Sequence, residues 1–510
     1  MGKLVHRKYN FSMHIIPGIC RFGLPFLINC CAYDQLIAQK SILPKHISTN
    51  EVEVWLTTKD GGKKLSKEPS IWFSKQFGKD TTIPYITVMP SASFQTMDGM
   101  GSSLEPATCF NLSQLSAADR VKTLNSIISP DLGIGMNLMR ICMGTPDFTG
   151  DTWYSYCDLP KGETDTALLH FSIEKDKKYI IPIIKEALHI NPKLVLFASP
   201  WSPPGWMKTS GTMIGGKLKA AFYAAYAMYF VKFLQAYATE GIPIAAVTIQ
   251  NEPGVDRMND LPKWWYPSCH WTAEEQKDFI KNNLGPLFKE KSIHTEIWCY
   301  DHNYNIVPIT DGSPVFLPEK PGDAGISFPK TILADPEAKK FTNAVAFHGY
   351  AGDPTGMAVL QQAFPKIPIR FTEGSIFGLE GSVNLIQILK NYAVSYNAWV
   401  MMLDDKRKPN NGAFTASQTI IERNSQTNQV SYNLDYYLYG HFMKFIQKGA
   451  VRIATEGTKK LAHIAFRDEK NHYTMIVVNQ QSQRQKLGIR IPGRETYLSI
   501  PAESIVTLKW

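Results

Sequence analysis

The chain has 510 residues, 44% hydrophobic and 19% charged, a composition that excludes disorder and suffices for one very large domain or two to three ordinary ones. Its formal net charge of +9 is spread over short clusters such as Lys63-Lys64, Lys177-Lys178 and Lys406-Arg407-Lys408. No nucleic-acid motif accompanies them, which argues against nucleic acid as a partner and leaves weak peripheral contact with an anionic lipid surface.

In chain order, residues 1–32 carry Lys3, His6, Arg7 and Lys8, then an apolar stretch from Met13 interrupted by Arg21 and closed by Cys30-Cys31-Ala32. This reads as a secretory signal peptide, a disordered extension being the alternative, and it predicts a secreted protein, or a lysosomal one in a eukaryote. No later segment offers 18 uncharged apolar residues, so no transmembrane segment is expected. Residues 33–95 hold Val52 to Thr57 and Tyr85 to Val88, which alternate with period 2 as strands do.

From residue 96 to 430 short apolar runs alternate with helical patterns, the sign of βα units. The expected strands end at Met97–Gly99, Met136–Cys142, Leu194–Ala198, Ala246–Gln250, Glu296–Tyr300, Ala344–Phe347, Ile367–Phe371 and Ala398–Leu403. Helical stretches such as Lys175 to Leu188, Ala221 to Ala238 and Ala273 to Phe288 lie between them. Eight strands favour a closed (β/α)8 TIM barrel. In residues 431–510, Leu461 to Phe466, Tyr473 to Val478, Leu487 to Ile491 and Ser504 to Lys509 alternate again. The predicted fold is therefore an α/β chain: a barrel plus an accessory antiparallel β-sandwich domain built from both chain ends.

Eight cysteines without a CxxC pair, and no His at metal-ligand spacing, argue against a zinc site, and no metal or organic cofactor is expected. The chemistry lies instead in two acids. Glu252 follows the strand run AAVTIQ, and Glu373 follows IPIRF. Side chains at the C-terminal ends of barrel strands share one mouth whatever their separation in sequence. Two carboxyl groups roughly 5–5.5 Å apart are what a retaining glycosidase needs, one to protonate the leaving oxygen and one to attack the anomeric carbon. Asn251 places an amide beside Glu252, suited to a sugar 2-hydroxyl, and Pro253 restricts the Glu252 backbone.

The string Ala198-Ser-Pro-Trp-Ser-Pro-Pro-Gly-Trp-Met-Lys-Thr-Ser-Gly211, with Asn251-Glu252-Pro253, Phe347-His348-Gly349-Tyr350, Thr372-Glu373 and Tyr439-Gly-His-Phe-Met-Lys-Phe445, resembles the glucosylceramidase branch of glycoside hydrolase family 30. The resemblance runs from about Gly99 to the C-terminus. It implies that Glu252 is the acid/base and Glu373 the nucleophile. It further implies that Trp206 contacts sugar, that Glu105 binds hydroxyls at the non-reducing end, and that Arg140 lies beneath the nucleophile, favouring its ionised form. His348 and Tyr350 would border the nucleophile, and Asp301-His302-Asn303 would end the fifth strand close by. Two departures from the family pattern touch the rim: Met402 in place of a sugar-facing tryptophan, with Trp399 nearby, and the loop Trp264-Trp265-Tyr266-Pro267.

The expected reaction is double displacement on a β-glucoside. Glucosylceramide is the leading substrate, and a β-1,6-glucan or another β-glucoside the alternative within the family. Outside the enzyme class the alternative is a carbohydrate-binding pseudoenzyme.

Overall fold

The computed structural model describes residues 39–40, 50–75, 82–256, 265–304, 325–413, 416 and 418–510. Residues 1–32, read above as a signal peptide, lie outside them, as does Trp264. Among the described residues no helix is long and apolar enough to cross a membrane.

Runs too apolar to face water on either side form a parallel sheet covered by helices. Eight strands do so here: Gly99–Gly101, Leu138–Met143, Val195–Pro200, Ala246–Thr248, Glu296–Asn303, Ala344–His348, Ile369–Glu373 and Ala393–Asn397. Neighbours along the chain run parallel, and the eighth pairs with the first. Ser103 bridges to Arg140, with Leu104 N donating to Arg140 O at 2.8 Å, so the first strand also meets the second and the barrel closes.

The helices sit where the periodicity puts them. Ile180–Ile190 buries Ile180, Ile181, Ile183, Ile184 and Ala187 on one face. Tyr223–Thr239 buries nine side chains, five of them aromatic. Ala273–Phe279 begins with a capping box between Thr272 and Glu275 and continues through a π segment, Ile280–Leu284, to Glu290.

One apolar layer inside the barrel consists of Leu138, Phe197, Ala246, Trp298, Ala344 and Ala346. Because strand side chains alternate in direction, the same face reappears two residues on. There it carries Arg140, Ser199, Thr248 and His348, every one of them fully buried. This switch from apolar to polar toward the C-terminal strand ends is what builds a site at that end.

The eighth strand corrects the expectation of 398–403. That apolar run is buried, but it follows the barrel strand Ala393–Asn397; Met402–Asp404 belongs to a separate three-stranded sheet. Periodicity could not separate the two because both segments are buried. Trp399 stands two residues beyond the barrel strand's end, and Met402 opens a strand of the separate sheet.

Both chain ends build the β domain. Glu51–Thr58 pairs antiparallel with Ser504–Lys509, in register Glu53 with Lys509. The sheet continues through Tyr473–Asn479, Ala462–Arg467, Val451–Gly457 and Tyr85–Thr96 to Gln485–Ile491 and Arg494–Ile500. Tyr85–Thr96 and Gln485–Ile491 run parallel, an exception in an otherwise antiparallel sheet. Its core, with Val52, Ile86, Met475, Leu487, Ile489 and Leu508, is distinct from that of the barrel. Helix Leu434–Met443 joins the two. His441 bridges Thr57 Oγ1 at 2.9 Å and Thr507 Oγ1 at 2.8 Å, binding the strands Glu51–Thr58 and Ser504–Lys509 to one helix of the barrel.

Candidate active site

Glu373 ends the seventh barrel strand and is 5% exposed. Glu252 follows the fourth, with φ at +51°. Tyr300 and Asp301, at an irregularity late in the fifth strand, also have positive φ, at 75° and 66°. A non-glycine residue held there costs on the order of 1–3 kcal/mol and persists only where its surroundings dictate it. Here Glu252 N donates to Asp301 O at 2.9 Å, locking the two strand ends together. Pro253 therefore does not hold Glu252 in an extended conformation.

His348, at the end of the sixth strand, lies between the two acids. Its Nδ1 is 3.5 Å from Glu252 Oε1 and its Nε2 is 3.9 Å from Glu373 Oε2. The expected pair therefore converges on opposite sides of one imidazole. Tyr350 OH donates to Glu373 Oε1 at 2.9 Å, although the rest of Tyr350 is 45% exposed. Tyr266 OH stands 3.5 Å from Glu252 Oε2 and His302 Nδ1 3.7 Å from its Oε1.

Beneath the acids is a buried ionic network. Arg140 donates through Nη1 to Glu373 Oε2, and through Nη2 to Asn251 Oδ1 and Asp301 Oδ2, both at 2.8 Å. Asp301 also accepts from Thr248 and Ser199 hydroxyls at 2.7 and 3.1 Å, from Thr372 at 2.6 Å, and meets His348 Nε2 at 3.0 Å. The Arg140 guanidinium is 4.7 Å from the Trp201 ring centre, and Trp201 stacks on Trp399 at 5.2 Å.

These contacts set the protonation states. Burial would raise the Asp301 carboxyl, but Arg140 and His348 outweigh it and hold it well below the usual range. Burial would lower His348, yet Glu373 and Asp301 bring it up to about 9, so it is a cation at neutral pH. His302, where burial dominates, is pushed down to about 4. Burial pushes Glu373 up; His348 and Arg140 oppose it, and Glu252 adds to it. The balance leaves Glu373 above its ordinary value, with Arg140 and His348 the two groups that favour its ionised form.

Two other expected residues, Glu105 and Trp206, are held by contacts of their own. Glu105 is fully buried as an N-cap: it accepts from Thr108 N at 3.0 Å and from the hydroxyls of Thr108 and Ser103, with burial pushing it up to about 7. Both its oxygens are engaged in that cap. Trp206 gives its indole N–H to Cys157 O at 2.8 Å and packs edge-on to Phe222.

The sequence reading passed over a carboxylate that feels the charge of both acids. Asp147, in the loop after the second strand, has a buried Oδ1 with no hydrogen-bond partner. Burial, then Glu373 and Glu252, push it up to about 8. Asp301 was noted only as a neighbour, and its five contacts make it the hub of the network. The sequence signal available for it was its place at a strand end on the inward, polar layer.

The profile of the glycosyl hydrolase family 30 TIM-barrel domain matches residues 97–446, and that of the family 30 beta sandwich domain matches residues 449–508. The chain is 29% identical to an endo-1,6-beta-D-glucanase of Neurospora crassa over 436 residues, 81% of this chain and 83% of the other. It is 30% identical to the lysosomal acid glucosylceramidase of Mus musculus over 454 residues, 83% of each chain. Among solved structures it is similar to the endo-beta1,6-glucanase BT3312, with a TM-score of 0.77 at 30% identity, covering 90% of this chain and 99% of that one. A closed barrel with two acids at its strand ends, a β domain, and family matches over both together make this chain a glycoside hydrolase of family 30.

Proposed function

We propose that the chain is a retaining β-glucosidase acting by double displacement. The observation that carries this is the placement of Glu252 and Glu373 on either side of His348, at 3.5 and 3.9 Å. Glu373, facing Arg140 and His348, is the carboxylate that attacks the anomeric carbon. Its oxygen forms the new C–O bond while the glycosidic C–O bond breaks and Glu252 gives its proton to the departing oxygen. In the second half Glu252 takes a proton from water, which attacks the same carbon and frees Glu373 with the β-anomer restored.

Asn251 has its amide oxygen fixed by Arg140, which turns the N–H2 group toward the sugar side. Asp147 offers its unpartnered oxygen to a sugar hydroxyl. Trp399 and Trp201 form the apolar wall.

Glucosylceramide is the proposed substrate, supported by 30% identity to the mouse glucosylceramidase. The second reading is an internal β-1,6-glucan, supported by the likeness to BT3312 and to the Neurospora glucanase. Purified protein is assayed on glucosylceramide vesicles, on linear β-1,6-glucan and on an aryl β-glucoside. Ceramide release faster than glucan cleavage supports the first reading, and oligosaccharides from the glucan the second. Inertness toward all three refutes the β-glucosidase.

A further inference from the structure

Sequence spacing gave no reason to group Glu252, His302 and His348, yet they converge from three different strand ends. One ligand atom from each lies within 4.8 Å of the others. Glu252 Oε1 is 3.5 Å from His348 Nδ1 and 3.7 Å from His302 Nδ1. In a tetrahedral zinc site with bonds of about 2.0–2.1 Å, neighbouring ligand atoms are about 3.3 Å apart, so the two gaps from Glu252 need only a small inward movement, and the two imidazoles close from within 4.8 Å.

Two further observations point to a ligand. Both Nδ1 atoms are buried and make no hydrogen bond. In His348 the opposite nitrogen is held by a carboxylate, Nε2 to Asp301 Oδ1 at 3.0 Å. A carboxylate behind an imidazole is the usual means of orienting a metal-binding histidine and keeping its other nitrogen directed at the ion.

We propose that Glu252, His302 and His348 form an inhibitory site for a borderline divalent transition ion, Zn2+ or Cu2+. Two imidazole nitrogens and one carboxylate oxygen are the donors such ions take, in contrast to the oxygen shells of Mg2+ and Ca2+, and the ion displaces the Nδ1 proton of His348 to solvent as it binds. Three protein ligands leave a fourth position open, and the 14% exposure of the Glu252 side chain places it toward the mouth. The ion occupies the carboxylate that must otherwise protonate the leaving oxygen, so hydrolysis stops while it is bound. The inhibition rests on the role proposed for Glu252; the binding does not.

The full chain is titrated with Zn2+, Cu2+ or Mg2+ while hydrolysis of an aryl β-glucoside is followed, and bound Cu2+ is examined by electron paramagnetic resonance. The expected result is chelator-reversible inhibition by Zn2+ and Cu2+ at one equivalent, none by Mg2+, and a Cu2+ spectrum split by two imidazole nitrogens. His302→Gln removes one nitrogen coupling and weakens Cu2+ binding by at least ~10-fold, the lower range for groups that merely orient a ligand. Should that variant not melt cooperatively, Glu252→Gln gives the same reading: weaker binding with both nitrogen couplings kept. No stoichiometric binding, or a spectrum and affinity indifferent to both substitutions, overturns the site. Stoichiometric binding with the expected spectrum but uninhibited turnover keeps the site and counts against Glu252 as the acid.

Discussion

His348 at the barrel mouth and His441 at the seam with the β domain are both fully buried, yet they titrate in opposite directions. Burial acts on both to favour the neutral ring. At the seam nothing opposes it: His441 sits between two threonine hydroxyls and is pushed down to about 3. At the mouth Glu373 and Asp301 reverse it, and His348 stands at about 9. The seam is a neutral, satisfied joint, built for cohesion. The mouth keeps two cations and several carboxyls in contact away from water, an arrangement that costs stability and is expected where chemistry is done.

Substitutions test this contrast, the largest effect first. Glu373→Gln abolishes measurable hydrolysis and Glu252→Gln lowers kcat by about 10²–10⁴, the range for a lost general acid, while melting curves remain cooperative. Arg140→Met harms both properties. It leaves Asp301 and Glu373 buried with His348 as their remaining cation, at about 3–5 kcal/mol by denaturant unfolding, and hydrolysis falls with it. His441→Leu does the reverse of the glutamate changes: the loss of its two ring hydrogen bonds costs about 1–3 kcal/mol, and kcat/KM is retained.

The pH dependence separates the regions further. His441 has a lowered folded pKa, so its share of stability is present above about 6.5, the unfolded value, and is lost as pH falls toward 3. The advantage of wild type over His441→Leu therefore shrinks between pH 7 and pH 4. Asp147 has a raised folded pKa of about 8, so its share is present below about 3.9 and lost as pH rises through 8. Asp147→Asn is expected to gain on wild type in melting temperature from pH 5 to pH 9.

The seam and the mouth were not equally legible in the sequence. The barrel strands that end in Glu252 and Glu373 announced themselves because a polar residue closing an apolar run is conspicuous, and strand ends of a barrel face one mouth. Glu105 was named by the family resemblance alone, and nothing in the sequence announced that it also caps a helix, the carboxylate just before Pro106 accepting from a free N–H. Asp147 lies in a loop of no periodicity and gave no signal. The joint at His441 needs Thr57 and Thr507, 450 residues apart in sequence (507 − 57), and only the pairing of the first and last strands brings them together. The metal-ligand set was invisible for the same reason, because its three members come from different strands.

The central claim is that Glu373 is the atom-bearing nucleophile of this mouth. A 2-deoxy-2-fluoro-β-glucoside with an activated leaving group traps the glycosyl-enzyme, and peptide mass spectrometry locates the sugar. The account predicts time-dependent inactivation with one sugar on Glu373, and none on the Glu373→Gln protein. A label on any other carboxylate, or turnover that never passes through a labelled enzyme, contradicts it.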